Sequence, residues 1–290
     1  MILVTGASGQ LGDLVVKQLL NKIQASEIAV LSRDTSKVEN LKKLGVEVRQ
    51  GDYDNYKTLV NAFAGIKKLY FVSASDIEKR DSQHENVVNA AIEAGIEHIV
   101  YTSFQRKTDK KDSVIGFIAN SHLDTEQKIK DSGLTYTILK HALYMEVIPL
   151  FIGDNVLDTK TIYIPTEQGQ VSFVSRKDLA EGAAIILTTS GHNNKVYEFG
   201  NDKVLSMQDI AQELSKLANQ TISYTSPKPE DFVATLTQNN VPKPFIDLRL
   251  GFSIGIAADE FNNPTDELKN LLGKDLISIS SYLKDTYFKE

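Results

Sequence analysis

Cysteine is missing from all 290 residues. That excludes disulfides, thiolate metal sites, iron–sulfur clusters and a cysteine nucleophile, so any redox chemistry has to run on a bound organic cofactor. Positive charge is also short: 32 Lys and Arg stand against 38 Asp and Glu, a net charge of -6. Phosphate backbones are bound by concentrated basic surfaces, so no nucleic-acid partner is expected. No run of about 18 apolar residues occurs, and the opening MILVTGASG has no basic leader ahead of an apolar stretch. The expectations are no membrane and a cytoplasmic location. Proline is scarce too, and all seven prolines follow residue 140.

What is present is an ordinary globular composition, 41% hydrophobic and 24% charged, in a chain long enough for one large core or two unequal domains. Apolar runs alternate with helix-period segments: MILVT (1–5), EIAVLS (27–32), VEVRQ (46–50), KLYFVS (68–73), HIVYTS (98–103) and TYTILK (135–140). Runs apolar throughout fit strands buried on both faces. Between them Leu11, Leu14, Val15, Leu19 and Leu20 recur at helical spacing, as do Leu59, Phe63, Val87, Val88, Ala91 and Ile92. The predicted class is α/β, a Rossmann-like doubly wound parallel sheet.

After residue 140 the rhythm degrades, with LYMEVIPLFIGDN apolar but irregular and SPKPEDF and NNVPKPFIDL rich in proline. Within it, VSFVSRKDLAEGAAIILTT (171–189) reads as a strand turning into a helix, and VYEFG (196–200) as a further strand. The expected domains are a larger Rossmann-like one of 1–140 with about 171–200, and a smaller substrate region of 141–170 with 201–290.

The stretch GASGQLG follows the first strand at once. A phosphate-binding turn needs glycine for the sharp bend, for close approach of the backbone to pyrophosphate, and where the helix packs on the sheet. Gly6, Gly9 and Gly12 meet that need, and a helix starting near Gln10 would aim its free N–H groups at the pyrophosphate. The candidate phosphate loop is therefore Gly6, Ala7, Ser8, Gly9, Gln10, Leu11 and Gly12. The second strand ends VLSRDTSK, where an acidic residue would select NAD and a basic one would pair with a 2′-phosphate. Arg33 favours NADPH, with NADH the second cofactor to consider, and Asp34 beside it blunts the field.

The G-x-x-G-x-x-G spacing, with GDYDNYKTLVNAFAGIKKLYFVSAS, HENVVNAAIEAGIEHIVYTS and LDTEQKIKDSGLTYTILK, resembles the NmrA-like branch of the atypical short-chain dehydrogenases/reductases, and within it the bacterial NAD(P)H:quinone oxidoreductases. The resemblance implies adenine contacts at Asp52 and Tyr53, and ribose and pyrophosphate contacts along Val72, Ser73, Ala74 and Ser75. Thr102 and Ser103, at the end of the fifth strand, join the cofactor candidates. It also places LKHALY beside the nicotinamide, which makes Lys140 a cofactor or substrate contact, with a plain strand-end cation the alternative, and Tyr144 a catalytic candidate. Tyr144, Met145 and Phe173 are candidates for an apolar wall.

Standard members of that superfamily carry Tyr-x-x-x-Lys on the helix after the fifth strand. Here the three matches, Tyr53/Lys57, Tyr136/Lys140 and Tyr224/Lys228, all fall elsewhere. On a strand, residues four apart stand about 13 Å apart, too far for Lys to tune Tyr. The expected helix GFIANSHLDTEQKIKDSG (116–133) offers His122 and Glu126 instead. His122 is a candidate proton donor; the alternative is an exposed helical pair with Glu126. Ketone reduction and epimerisation lose their acid without the dyad, whereas quinone reduction suffers less. The five histidines show no metal-ligand spacing, so no metal is expected. The expected function is NADPH-dependent reduction of a small quinone or related acceptor without flavin, by a monomer or homodimer. The alternative is an NADP(H) sensor of the NmrA type that binds without turnover.

Overall fold

A computed structural model describes residues 1–288, which divide into two compact units. The first comprises 1–104, 118–141 and 176–198. Its seven-stranded sheet contains β1 (Ile2–Val4), β2 (Ile28–Ser32), β3 (Glu47–Gln50), β4 (Lys68–Phe71), β5 (His98–Phe104) and β6 (Thr135–His141), with Lys195–Phe199 at the edge beyond β6. The order is β3-β2-β1-β4-β5-β6, and all five pairings among these six strands are parallel. Parallel neighbours need crossovers. Those segments contain α1 (Gln10–Leu20), α2 (Glu39–Lys43), α3 (Tyr56–Phe63), α4 (Arg80–Glu93) and α5 (Gly116–Asp131).

Side chains alternate across a strand, so the sheet feeds two core layers. Leu3, Leu31, Phe71, Ile99, Tyr101 and Ile138 pack in one cluster with Leu59 and Phe63 of α3, Val87 and Ala91 of α4, and Ile129 of α5. The intervening positions Val4, Ile28, Val30 and Val100 are equally buried, and α1 buries Val15, Val16 and Leu19 beside the helix Arg176–Thr188. Each such side chain contributes roughly 1.5–3 kcal/mol by leaving water. Ile92, expected on the inner face of α4, is 44% exposed, because it stands about 100° round the helix from the buried Ala91 that precedes it.

The chain lays β2 and β3 on one side of β1 and β4 to β6 on the other. Between β1 and β4 the strand order reverses, and the loops leaving their carboxyl ends diverge to open a crevice.

The second unit comprises 105–117, 142–175 and the residues from 199 onward. It pairs Thr161–Tyr163 with Ser223–Thr225 in parallel and Gln170–Val171 with Leu205–Ser206 antiparallel. Of the stretch 171–189, only the helix therefore belongs with the first unit. Helices Met207–Ala218, Pro229–Gln238 and Lys243–Ala257 follow. Prolines that look like irregular chain in the sequence are helix starts: Pro149, Pro229 and Pro244 all sit in first turns, where a missing N–H costs no hydrogen bond. Phe252 anchors the unit's aromatic core against Phe117, Phe151 and Phe261, with ring centroids 5.7, 5.9 and 5.9 Å away. Among the described residues no helix is long and apolar enough to cross a membrane.

Candidate functional site

The loop between β1 and α1 is built on glycine. Gly6 has φ +63°, and its carbonyl accepts from Gly9 N–H at 2.9 Å, closing the turn. Gly9 is the N-cap of α1 and brings no side chain to cap it, leaving the first-turn N–H groups facing outward. A Cβ on Gly12 would lie 2.4 Å from the Gly6 carbonyl oxygen and 2.9 Å from Ala7 Cα. The third glycine thus lets α1 lie against the loop backbone, where the sequence suggested contact with the sheet. Ala7, Leu11 and Gly12 are buried, whereas Gly6, Ser8, Gly9 and Gln10 are exposed. Gln10 Oε1 accepts from Arg176 Nη1 at 2.8 Å.

A cavity of about 420 Å³ opens over this loop, lined from the carboxyl ends of four neighbouring strands. After β1 come Gly6, Ser8 and Gly9; after β2, Arg33; after β3, Asp52, Tyr53 and Asp54; after β4, Val72, Ser73, Ala74, Ser75 and Asp76. Lys79 and Gln83 close the far side. Arg33, both rims and three residues of the candidate phosphate loop, Gly6, Ser8 and Gly9, therefore line one cavity, while Ala7, Gln10, Leu11 and Gly12 do not line it.

Arg33 and Asp34 divide their roles. The Asp34 carboxylate accepts from Ser36 N–H at 3.1 Å and Ser36 Oγ at 2.6 Å, capping the turn Thr35–Val38, and these bonds hold its pKa below the usual carboxylate value. Arg33 lines the cavity and Asp34 does not, so the base rather than the acid at the end of β2 borders it.

Tyr53 reaches beneath the cavity to the crevice floor. Its hydroxyl lies 2.5 Å from Thr5 Oγ1 and donates to the Val72 carbonyl at 2.8 Å, and Thr5 Oγ1 in turn accepts from Val72 N–H at 2.9 Å. Burial pushes the phenol pKa up, keeping it a neutral donor. The Asp52 carboxylate accepts from Asp54 N–H at 3.1 Å, and Asn55 caps α3.

Several candidates sit elsewhere. Thr102 and Ser103 do not line the cavity: Thr102 Oγ1 accepts from Ser73 N–H at 2.9 Å, and Ser103 Oγ donates to the Glu126 carboxylate. His122 and Glu126 are not an exposed pair, since both are buried and each turns to a different partner. His122 Nδ1 lies 2.7 Å from the Tyr101 hydroxyl and Nε2 lies 3.4 Å from Arg80 Nη1. Lys140 Nζ lies 3.1 Å from Glu198 Oε1, the ion pair of a strand-end cation. Tyr144 belongs to the second unit, half-buried and bridged to Val174. Met145 and Phe173 are 1% exposed, so they are core of that unit and not an open wall.

The residues that sequence reasoning missed lie on or beside α4. Lys79 and Gln83 line the cavity, while Arg80, Gln83 and His84 are buried polar groups. A signal existed: Arg80, His84, Val87 and Ala91 form one stripe at helical spacing, so the apolar positions 87 and 91 place 80 and 84 on the inward face.

The model of the NmrA-like family matches residues 1–263. Quinone oxidoreductase 2 of Escherichia coli K12 is 32% identical over 273 residues, 94% of each chain. Among solved structures, the Citrobacter sp. triphenylmethane reductase complexed with NADP(H) has a TM-score of 0.91 at 34% identity, over 99% of this chain and 100% of that one. The NADPH-dependent quinone oxidoreductase of Escherichia coli complexed with NADPH also has a TM-score of 0.91, at 30% identity over 98% and 99%.

Proposed function

The chain belongs to the NmrA-like family, and from that premise we propose that it is an NADPH-dependent oxidoreductase that reduces quinones or related flat, conjugated acceptors without flavin. The observation that carries this reading is the meeting of a glycine phosphate loop and Arg33 in one cavity. The cradle fits the group: a side chain at position 12 would collide with the loop that must receive pyrophosphate.

In this reading the N–H groups of the Gly6–Gly12 turn and the positive end of α1 hold the pyrophosphate. Arg33 pairs with the 2′-phosphate, its planar fork matched to that anion. Asp52 and Tyr53 border the adenine, and Val72 to Ser75 border the ribose. Reduced nicotinamide supplies the hydride. Relatives named for quinone and for triphenylmethane reduction support a conjugated acceptor. Tyr136 and Lys140 share a strand, and the helix that follows β5 carries the buried His122. A tuned Tyr acid is thus missing where ketone chemistry needs one. A quinone makes a smaller demand, because its reduced oxygens take protons from water.

Purified protein mixed with NADPH and a simple benzoquinone should consume the reduced-nicotinamide absorbance well above the uncatalysed rate. Binding of NADPH without any such turnover would replace the enzyme by a sensor.

A further inference from the structure

Four polar side chains on the first half of α4 reach the two loops that rim the cavity, three of them at backbone atoms and Gln83 at the Asp54 carboxylate. On one flank, Arg80 Nε donates to the Ala74 carbonyl at 2.8 Å, and His84 Nε2 accepts from Ala74 N–H at 2.9 Å. One residue of the β4 loop is thereby gripped at both its peptide groups. On the other flank, Asn86 Nδ2 donates to the Tyr53 carbonyl at 2.8 Å and Gln83 Nε2 donates to Asp54 Oδ1 at 3.1 Å. These bonds fix the β3 loop. Ala74, Tyr53 and Asp54 line the cavity, whereas Arg80, His84 and Asn86 do not.

The His84 hydrogen bonds define a single tautomer. Ala74 N–H donates to Nε2, so that nitrogen carries no proton. The Thr125 hydroxyl uses its own hydrogen on the Ser121 carbonyl at 2.7 Å and therefore accepts from His84 Nδ1–H at 2.8 Å. The ring is a neutral, fully used connector between the loop and α5. Burial holds it neutral, with the pKa pushed down to about 3. Bonds of this kind are expensive to break from one side, because the partner left behind is buried and unpaired.

We propose that α4 is the brace of the dinucleotide site: Arg80 and His84 set the β4 rim, Gln83 and Asn86 set the β3 rim, and together they fix the spacing of the two loops that receive the adenosine half of the cofactor. The assignment rests on the reading of the cavity as an NADPH site. Arg80, His84 and Asn86 are positioning residues, acting through the backbone of loops they hold and not through the ligand. Preorganised loops bind without a further ordering cost, so loosening them appears as lost affinity.

The test uses the full chain, with binding followed by titration of NADPH and of 2′,5′-ADP, and amide exchange measured on the protein alone. His84→Leu should raise the Kd for both ligands by at least about tenfold and speed exchange of the Ala74 amide. His84→Gln, which can accept with its oxygen and donate with its nitrogen, should stay within about threefold of the parent. If His84→Leu fails to fold, Asn86→Ala decides, because residue 86 is only half-buried; it should raise the 2′,5′-ADP Kd at least about threefold with an unchanged melting temperature. A folded His84→Leu or Asn86→Ala protein with unchanged Kd, while the parent binds, overturns the brace alone. A parent protein that binds neither ligand overturns the reading of the cavity and the brace with it.

Discussion

At the end of β2 the chain places a base and an acid side by side, and their partners determine what each can do. Asp34 is committed to Ser36, which leaves the Arg33 guanidinium as the charged group of the pair that lines the cavity. Charge-assisted hydrogen bonds are worth about 1.5–3 kcal/mol. Arg33→Ala is therefore expected to weaken NADPH binding roughly ten- to hundredfold and NADH binding by less than about threefold, read by parallel titrations; equal losses would remove the 2′-phosphate from the account. Arg33 was legible in the sequence because its position depends only on where one strand ends. His122 was not. Its spacing to Glu126 describes a helical pair equally well in water or in the core, and only packing reveals that Tyr101 and Arg80 claim it. Lys140 was ambiguous for the same reason, since Glu198 lies 58 positions on in the chain and 3.1 Å away in space.

At the scale of elements, the β1–α1 junction gives a contrast between two glycines of one motif. A Cβ at Gly9 would meet only the Gly6 carbonyl, at 3.3 Å, whereas one at Gly12 would meet loop backbone at 2.4 Å. Gly12→Ala should cost about 1–3 kcal/mol of stability through forced displacement of backbone, along with most NADPH affinity. Gly9→Ala should keep nearly the parent melting temperature and lose affinity only. Thermal melts with and without NADPH separate the two, and identical behaviour would mean that the helix does not lie on the loop as described. Strands β1, β2, β4 and β5 were readable because buried parallel strands are apolar nearly throughout, and α1 because its apolar spacing is regular, whereas the edge strand β3 (EVRQ) is exposed or half-buried along its length. The polar inward half of α4 escaped, since a search for apolar periodicity passes over Arg80 and His84 although they continue the stripe of Val87 and Ala91. Second-unit helices escaped because first-turn prolines look like breaks when read without the chain around them.

Across the whole molecule, three buried histidines are kept neutral by desolvation: His84 at about 3, His98 at about 4 and His141 at about 3, against an ordinary 6.5. Below pH 6.5 the unfolded chain takes up protons that the folded one refuses, so stability is complete above that value and falls as pH drops toward 4. Each histidine contributes a slope of up to about 1.4 kcal/mol per pH unit. Urea midpoints measured at pH 7.5 and 5.5 should show a loss of about 1.4 kcal/mol per histidine, about 4 in all. A flat profile would mean that these rings are solvated or charged in the folded state.

In the proposed reaction hydride passes from NADPH to a conjugated acceptor with no other redox group, consistent with a chain that has no cysteine. Turnover of benzoquinone by protein freed of any flavin, compared between NADPH and NADPH deuterated at either face of nicotinamide C4, tests it most directly. Direct hydride transfer predicts turnover without added flavin, slowed by deuterium on one face only. Turnover that appears only when flavin is added, or none at all in protein that binds NADPH, would contradict it.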